Sequence, residues 1–364
     1  MNEHINHTAL PLKYPDAIDL GRGPLVLLFY DGFERTLRRG FFRRTAAEAR
    51  RLARFTYRTI TRKQVRTGFY TQFLNLCESL EKQGCDVRIN DYEMAFKNPN
   101  YPIGVAGYPS VIGKFPPKNP VLFGPGDFGM PNEIEELAAT ANFGSLICFC
   151  EWIGRIYRQS TSGRITQWYA GINTDTWSDQ SLSKKNIDCL IYDKIRWQRE
   201  LRVPQIVASL RAHLELKGLS YRVLRYGEHA QADFKACVSN ARSMIFLCEH
   251  ETQGLAYQEA MSANVPVLAW DEGTLMDVSL QPFRPEGVRV SAVPYFSDEC
   301  GATFSACNII ESFEEFWNKL ENYRPRQFVL RELSGKKSAE IYLSAYFGLS
   351  HSKTIPPLLK HLRS

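Results

Sequence analysis

The chain has 364 residues, 44% hydrophobic and 23% charged, a composition that excludes a disordered, collagenous or coiled-coil protein and a length that fits two domains better than one core. No apolar run reaches the about 20 residues that span a bilayer. The first 20 residues mix charges and prolines, so no signal peptide is expected and the chain is expected to be cytoplasmic. The net charge of +6 is concentrated near the start: residues 1–66 hold 14 Lys and Arg against 6 Asp and Glu, and the remainder holds 31 against 33. Nine cysteines are scattered without the paired two-residue gaps of zinc sites, which predicts reduced, mostly buried thiols and no bound metal.

In chain order, residues 25–30 read as a buried strand. Residues 34–66 are an Arg-rich insert, in which Thr45 and Glu48 have capping-box spacing before a narrow apolar stripe. This segment reads either as a solvated basic face docked on its own domain or as a surface for an anionic membrane or lipid-linked substrate. Nucleic acid is not expected, because no aromatic platform or known module accompanies the charge. Phe73, Leu76, Cys77 and Leu80 recur at helical spacing up to Gly84, and residues 85–89 form the next strand. Residues 98–120 are rich in Pro, Gly and Asn and read as mostly loop. Strands follow at 120–123, 146–149 and 165–170, with helices at 134–140 and 151–159.

A second alternating series begins near 187. Strands are expected at 187–192, 221–226, 243–247 and 265–269, and helices at 204–216, 233–240 and 255–263. Residues 312–362 read as largely helical and aromatic-rich. Two such series argue for an α/β protein of two doubly wound parallel-sheet domains, with the ligand beyond the carboxyl ends of the strands and the natural site in the cleft between them.

The stretch 249–269 is the most informative. It follows a strand and opens a helix, with Thr252 or Gln253 at the cap position and Gly254 at the helix start. Free amides and a positive dipole suit a phosphate there. Glu251 precedes the helix and Glu259 lies inside it. Carboxylates beside a phosphate site make sense when they accept hydrogen bonds from sugar or ribose hydroxyls.

These residues resemble the signature S-x-x-E-x-F-G-L-x-x-x-E-A-M-A-x-G-x-P-V-I-A of retaining glycosyltransferases with the two-domain GT-B fold. Glu251, Gly254, Leu255, Glu259, Ala260, Met261, Pro266, Val267 and Ala269 are in step with it. Cys248, Gln253 and Asn264 depart from the usual serine, aromatic and glycine; Asn tolerates a left-handed backbone at a helix end. Weaker echoes lie in order: 67–87 resembles the group's N-terminal glycine loop and helix, 168–177 the turn that starts the second domain, and Tyr226–Gly227 the strand end near the donor base.

The resemblance implies two Rossmann-like domains facing across a cleft: residues 1–165 on the acceptor side, 166–330 for the nucleotide sugar, and 331–364 as a C-terminal helical segment. It implies transfer of a hexosyl-type sugar from a nucleoside diphosphate sugar, with retention, without a metal and without a resident cofactor. Glu251 would hold the donor sugar and Glu259 the ribose. Thr252 and the amides of Gln253, Gly254 and Leu255 would meet the diphosphate or sugar, with Tyr226 and Gly227 near the base. The cation on the leaving diphosphate would be Lys194 or Arg196, although the family's usual Arg and Lys pair is not reproduced. Gly68 would face the diphosphate and acceptor, and Phe69, Tyr70 and Asp127 would lie on the acceptor side. The acceptor would be a glycan or a lipid-linked molecule, with segment 34–66 making a peripheral contact at the inner face of an anionic membrane. Two other readings share the scaffold: a sugar epimerase or phosphorylase, the latter disfavoured because no pyridoxal-phosphate lysine motif is evident, and a non-catalytic glycan- or nucleotide-sugar-binding protein.

Overall fold

A computed structural model describes residues 14–31, 68–159, 161 and 164–351, together with positions 49, 52, 53 and 56. Apart from those four positions, the Arg-rich insert lies outside the described residues. The chain divides into two compact units. The first takes residues up to Cys148, Arg158–Trp168 and the chain from Ser338 onward; the second takes Phe149–Tyr157 and Tyr169–Lys337.

The first unit is built on six parallel strands: β1 (Leu25–Tyr30), β2 (Asp86–Ile89), β3 (Ile103–Gly107), β4 (Pro120–Gly126), β5 (Asn142–Cys148) and β6 (Arg164–Gln167), in the order β2-β1-β3-β4-β5-β6. Every residue of β1 is buried, as an unbroken apolar run in a parallel sheet requires. The helix Gly68–Lys82 buries Phe73, Leu76, Cys77 and Leu80 along one stripe. The expectation of loop through 98–120 is corrected by β3. All five residues of this strand are buried between β1 and β4, and the flanking Pro, Asn and Gly residues hid so short an apolar run. A short helix, Tyr92–Lys97, also escaped the pattern; the Asp91 carboxylate caps it by accepting the Met94 N–H at 3.0 Å. At the carboxyl end of β1 the Asn90 side chain exchanges two 2.9 Å hydrogen bonds with the backbone of Tyr30.

The last helix, Gly335–Gly348, packs on this sheet. Gly104 leaves room for the Tyr342 ring, whose hydroxyl a β-carbon there would strike. The buried Tyr346 hydroxyl accepts the Leu27 N–H at 2.9 Å and donates to the Pro102 carbonyl.

The second unit has five parallel strands: β7 (Ile187–Asp193), β8 (Tyr221–Arg225), β9 (Ala241–Leu247), β10 (Val267–Trp270) and β11 (Gly301–Phe304), ordered β11-β10-β9-β7-β8. Side chains alternate between its faces. Cys189, Ile191, Ile245, Leu247, Leu268 and Trp270 join a core with Leu210 and Leu214 of the helix Ser209–Leu216 and Phe313 and Phe316 of the helix Ile309–Asn318. On the other face Tyr192 and Phe246 meet Phe234 of the helix Gln231–Asn240 and Tyr257 of the helix Leu255–Ser262. Helices on both faces make the unit doubly wound. The helix expected over 204–216 begins earlier, with the α-helical turn Arg199–Arg202, and passes through a π-helical turn, Val203–Ala208, before Ser209–Leu216. Pro204 lies within the π-helical turn, lacks an N–H and disturbs the regular hydrogen-bond register.

Both sheets share a strand order that reverses beside their first strand, in the second unit between β7 and β9. The crevice at such a reversal, beyond the carboxyl ends, is where open parallel sheets bind ligands.

Tyr346→Phe keeps the ring and leaves the Leu27 N–H and Pro102 carbonyl without their partner. Urea unfolding should show a loss of about 1–3 kcal/mol; an unchanged midpoint would remove this hydroxyl from the forces that hold the last helix.

Candidate functional site

The residues at the carboxyl ends of β7 and β9 form one connected group. The Lys194 N–H donates to the Leu247 carbonyl at 2.8 Å, which joins the two strand ends. Lys194 Nζ forms an ion pair with the Glu251 carboxylate, with 15% and 9% of the two side chains exposed. The ammonium also lies 4.5 Å from the centre of the Tyr226 ring. The Cys248 thiol sits 3.4 Å from Oε1 of Glu251 and 3.3 Å from the His250 carbonyl. Burial would raise the Glu251 carboxyl, but Lys194 and Arg196 outweigh it and hold it below the usual carboxylate range. Burial would lower Lys194, and Glu251 reverses that, so the ammonium is held up. Burial pushes the Cys248 thiol far above its ordinary value, so it is a neutral donor.

Arg196 is exposed. Its guanidinium donates to the His250 carbonyl at 2.6 Å and lies 4.4 Å from the Trp197 ring centre. The buried Glu249 carboxylate accepts the backbone N–H groups of Arg196 and Trp197 at 3.0 and 2.9 Å. On the preceding strand end, Asp193 accepts both arms of Arg199 at 2.9 and 2.7 Å.

Gly254 has φ +75° and stands immediately before the helix Leu255–Ser262; a β-carbon there would run into the Tyr257 ring. The first-turn amides of Leu255 and Ala256 have no carbonyl a turn earlier to meet, so they can receive an anion. Thr252 is half-buried in the same turn. The Gln253 side chain is engaged internally: Oε1 accepts the Ala170 N–H at 2.9 Å and Nε2 donates to Gln258 at 3.0 Å. Its backbone carbonyl accepts Gln258 Nε2 at 2.6 Å.

Glu259 is buried inside that helix and hydrogen-bonded to the Trp177 side chain. Burial, opposed by that bond, pushes its carboxyl up to about 8. It is therefore predominantly protonated at neutral pH. Tyr226 is exposed beyond β8 and tied to β7 by its N–H to the Asp193 carbonyl at 2.9 Å; Gly227 follows it in a left-handed turn.

Gly68, Phe69, Tyr70 and Asp127 belong to the first unit. Gly68 is exposed at the start of its helix. Phe69 meets Tyr108 edge-on at 6.2 Å, and Tyr70 lies 5.7 Å from Tyr30. Asp127 is an exposed turn residue whose carboxylate accepts the Gly129 N–H at 3.2 Å. The structure thus gathers Lys194, Arg196, Tyr226 and the 251–255 turn in one unit and places these four in the other. Among the described residues no group of three or more His, Cys, Asp or Glu side chains is arranged to hold a metal.

Sequence reasoning missed Trp152, Trp177, Trp197, Glu249 and His250. Trp152, from the helix Glu151–Tyr157, donates its indole N–H to the Glu251 carbonyl at 3.0 Å. Its only sequence signal is an aromatic just after a strand.

No protein-family model matches the chain, and no curated protein matches it in sequence. Solved structures do resemble it. Sucrose-phosphate synthase from Thermosynechococcus elongatus superposes with a TM-score of 0.53 at 12% identity, covering 90% of this chain and 100% of that one. AviGT4, a glycosyltransferase involved in avilamycin A biosynthesis, gives 0.50 at 11% identity, covering 79% and 91%. The fold is GT-B. No helix among the described residues is long and apolar enough to cross a membrane.

Two stability measurements check the electrostatics. Lys194→Met strands a buried carboxylate and should cost about 3–5 kcal/mol at pH 7. The depressed Glu251 carboxyl stabilises the fold above the unfolded value and that contribution is lost as pH falls, so the gap to wild type should close in acid. Lys194→Met combined with Glu251→Gln should recover most of the loss. The Glu259 carboxyl is raised, so the folded state holds a proton that the unfolded state has released, and stability declines between about pH 4.5 and 8. Glu259→Gln should therefore gain on wild type across that range, by up to a few kcal/mol at roughly 1.4 kcal/mol per pH unit. Parallel unfolding curves at pH 5 and pH 8 with no change in the difference would refute this.

Proposed function

We propose that the protein is a retaining, metal-independent glycosyltransferase that moves a hexosyl unit from a nucleoside diphosphate sugar to a glycan or lipid-linked acceptor. The observation that carries the reading is the buried Glu251–Lys194 pair, with exposed Arg196 beside it, at the strand-order reversal and next to the Gly254 turn. Breaking the bond between an anomeric carbon and a diphosphate develops negative charge on the leaving oxygen. Fixed cations and amides aimed at that charge lower the barrier most when they need no rearrangement. Lys194 has three N–H donors. One serves Glu251 and the others can take phosphate oxygens, with Arg196 and the amides of Gly254 and Leu255 sharing the anion.

The ionised Glu251 accepts donor-sugar hydroxyls, and Glu259 meets the ribose. Thr252 and the Gln253 backbone line the same turn, while Tyr226 and Gly227 flank the base. Retention is supported by the match of segment 251–269 to the retaining group. Gly68, Phe69, Tyr70 and Asp127 are assigned to the acceptor's side. Cytoplasmic action, with segment 34–66 against an anionic membrane face, completes the proposal.

A thermal-shift panel of nucleoside diphosphates and their sugars tests the reading. The right donor at 100 times its dissociation constant should stabilise the protein by about 2.7 kcal/mol. Turnover should persist in EDTA, and Glu251→Gln should keep diphosphate binding while losing about 100-fold or more in kcat. A panel in which no diphosphate or sugar conjugate shifts the wild-type protein would overturn it.

A further inference from the structure

Segment 249–251 is held at every residue. The Glu249 carboxylate anchors it to two backbone amides, the His250 carbonyl receives the Arg196 guanidinium, and the Glu251 N–H donates to the Ser291 carbonyl at 2.9 Å. The Glu251 carbonyl accepts the indole N–H of Trp152, a residue 99 positions earlier in the chain. The His250 ring lies 4.8 Å from the Trp197 ring, inclined at 31°, and 5.6 Å from the Trp152 ring, edge-on at 75°. Trp197 in turn carries the Arg196 guanidinium on its face.

A phenylalanine at 152 would keep a flat apolar ring, smaller than the buried indole, but would carry no donor to the carbonyl. The Nε2 atom of His250 is buried without a hydrogen-bond partner, and burial and Arg196 depress its imidazole to about 4. An apolar side chain would fill that space without stranding a polar atom, so packing alone does not account for a histidine there.

We infer that Trp152, His250 and Trp197 form an aromatic clamp that positions Glu251 and Arg196 against the donor sugar and its leaving diphosphate. The inference rests on the transferase reading. Trp152 fixes the height of the Glu251 backbone, and therefore where its carboxylate meets Lys194. Trp197 fixes the plane of Arg196, and His250 spaces the two indoles. These are positioning residues. A shift of about 1 Å in a reacting group can cost about 100-fold in rate, so a bond to one carbonyl can matter far more to turnover than to folding.

Trp152→Phe, made in the full chain, gives three readouts. Native-state hydrogen exchange should quicken about tenfold or more over 248–252, with little change in the strands. UDP, GDP and ADP should bind as in wild type, while the added affinity of UDP-glucose, GDP-mannose or ADP-glucose over the bare diphosphate is lost. Turnover with the accepted donor should fall about tenfold or more in kcat with a small change in diphosphate affinity. Unchanged exchange over 248–252 overturns the clamp, as does faster exchange with the sugar-dependent affinity and kcat intact. If wild type binds none of these nucleotides, the transferase reading fails, and with it the catalytic meaning of the clamp, while the exchange data still report whether Trp152 holds the loop. Should Trp152→Phe not fold, Trp197→Leu removes the half-buried ring beside His250 and Arg196; faster exchange over 248–252 with weaker diphosphate binding and a lower kcat then supports the clamp, and unchanged exchange, or faster exchange with diphosphate binding and kcat intact, overturns it.

Discussion

A buried carboxylate and a buried ammonium facing each other at the ends of two parallel strands set the constraint that the surrounding residues answer. Withdrawing either charge from water costs several kcal/mol, and a buried pair often does no better for stability than apolar side chains of the same volume. The Glu251–Lys194 pair is therefore poorly explained as a stabilising device. Its neighbours instead keep both groups charged: the neutral Cys248 thiol beside one carboxylate oxygen, the Tyr226 ring beneath the ammonium, and Arg196 on the adjoining carbonyl. An arrangement that holds charge ready in a low-dielectric crevice suits chemistry in which charge develops on a bound anion.

Parallel topology explains where this happens. Reversal of strand order beside β7 leaves room at the carboxyl ends of β7 and β9, and the chain leaving β9 turns directly into a helix start. Three carboxylates cluster there, with distinct partners. Asp193 receives Arg199 and the Ile195 N–H, and Glu249 receives two backbone amides. Only Glu251 has a flexible ammonium as its main partner, so it alone can exchange that contact for a ligand without unravelling a turn. Glu259 differs again: it sits in the helix with Trp177 and carries a proton at neutral pH. Environment thus separates acids that one sequence pattern presents as a pair.

Much of this was legible in the residues. Continuous apolar runs such as 25–30 and 243–247 announced buried parallel strands because both faces of such a sheet are covered. The run Gly254, Leu255 and Glu259 placed the helix start. The missed elements share a cause. β3 and β11 are short and glycine-bearing, so neither offers enough consecutive apolar residues to stand out from its flanks. The site's aromatic support was silent for another reason. Trp152 and Trp197 lie in different segments from Glu251, and their meaning appears only when the fold brings an indole N–H to one particular carbonyl.

The departures from the glycosyltransferase signature are locally compensated. Where an aromatic is usual, Gln253 binds the Ala170 backbone and its Nε2 donates to Oε1 of the fully buried Gln258, whose own Nε2 donates to the Gln253 backbone carbonyl. Where glycine is usual, Asn264 adopts φ +63° and uses its side chain to donate to Ser181 Oγ at 2.7 Å and to accept the Arg326 N–H. Arg326 then reaches the carbonyls of Trp177 and Ser262, tying the end of the Gly254 helix to the turn that opens the second unit. A chain drifting from a pattern without constraint would leave such positions with unmatched polar groups. Here each substitution brings its own partners, and those partners meet the helix Leu255–Ser262 at its start and at its end. The altered letters are therefore each satisfied locally, without an unmatched polar group at Gln253 or Asn264.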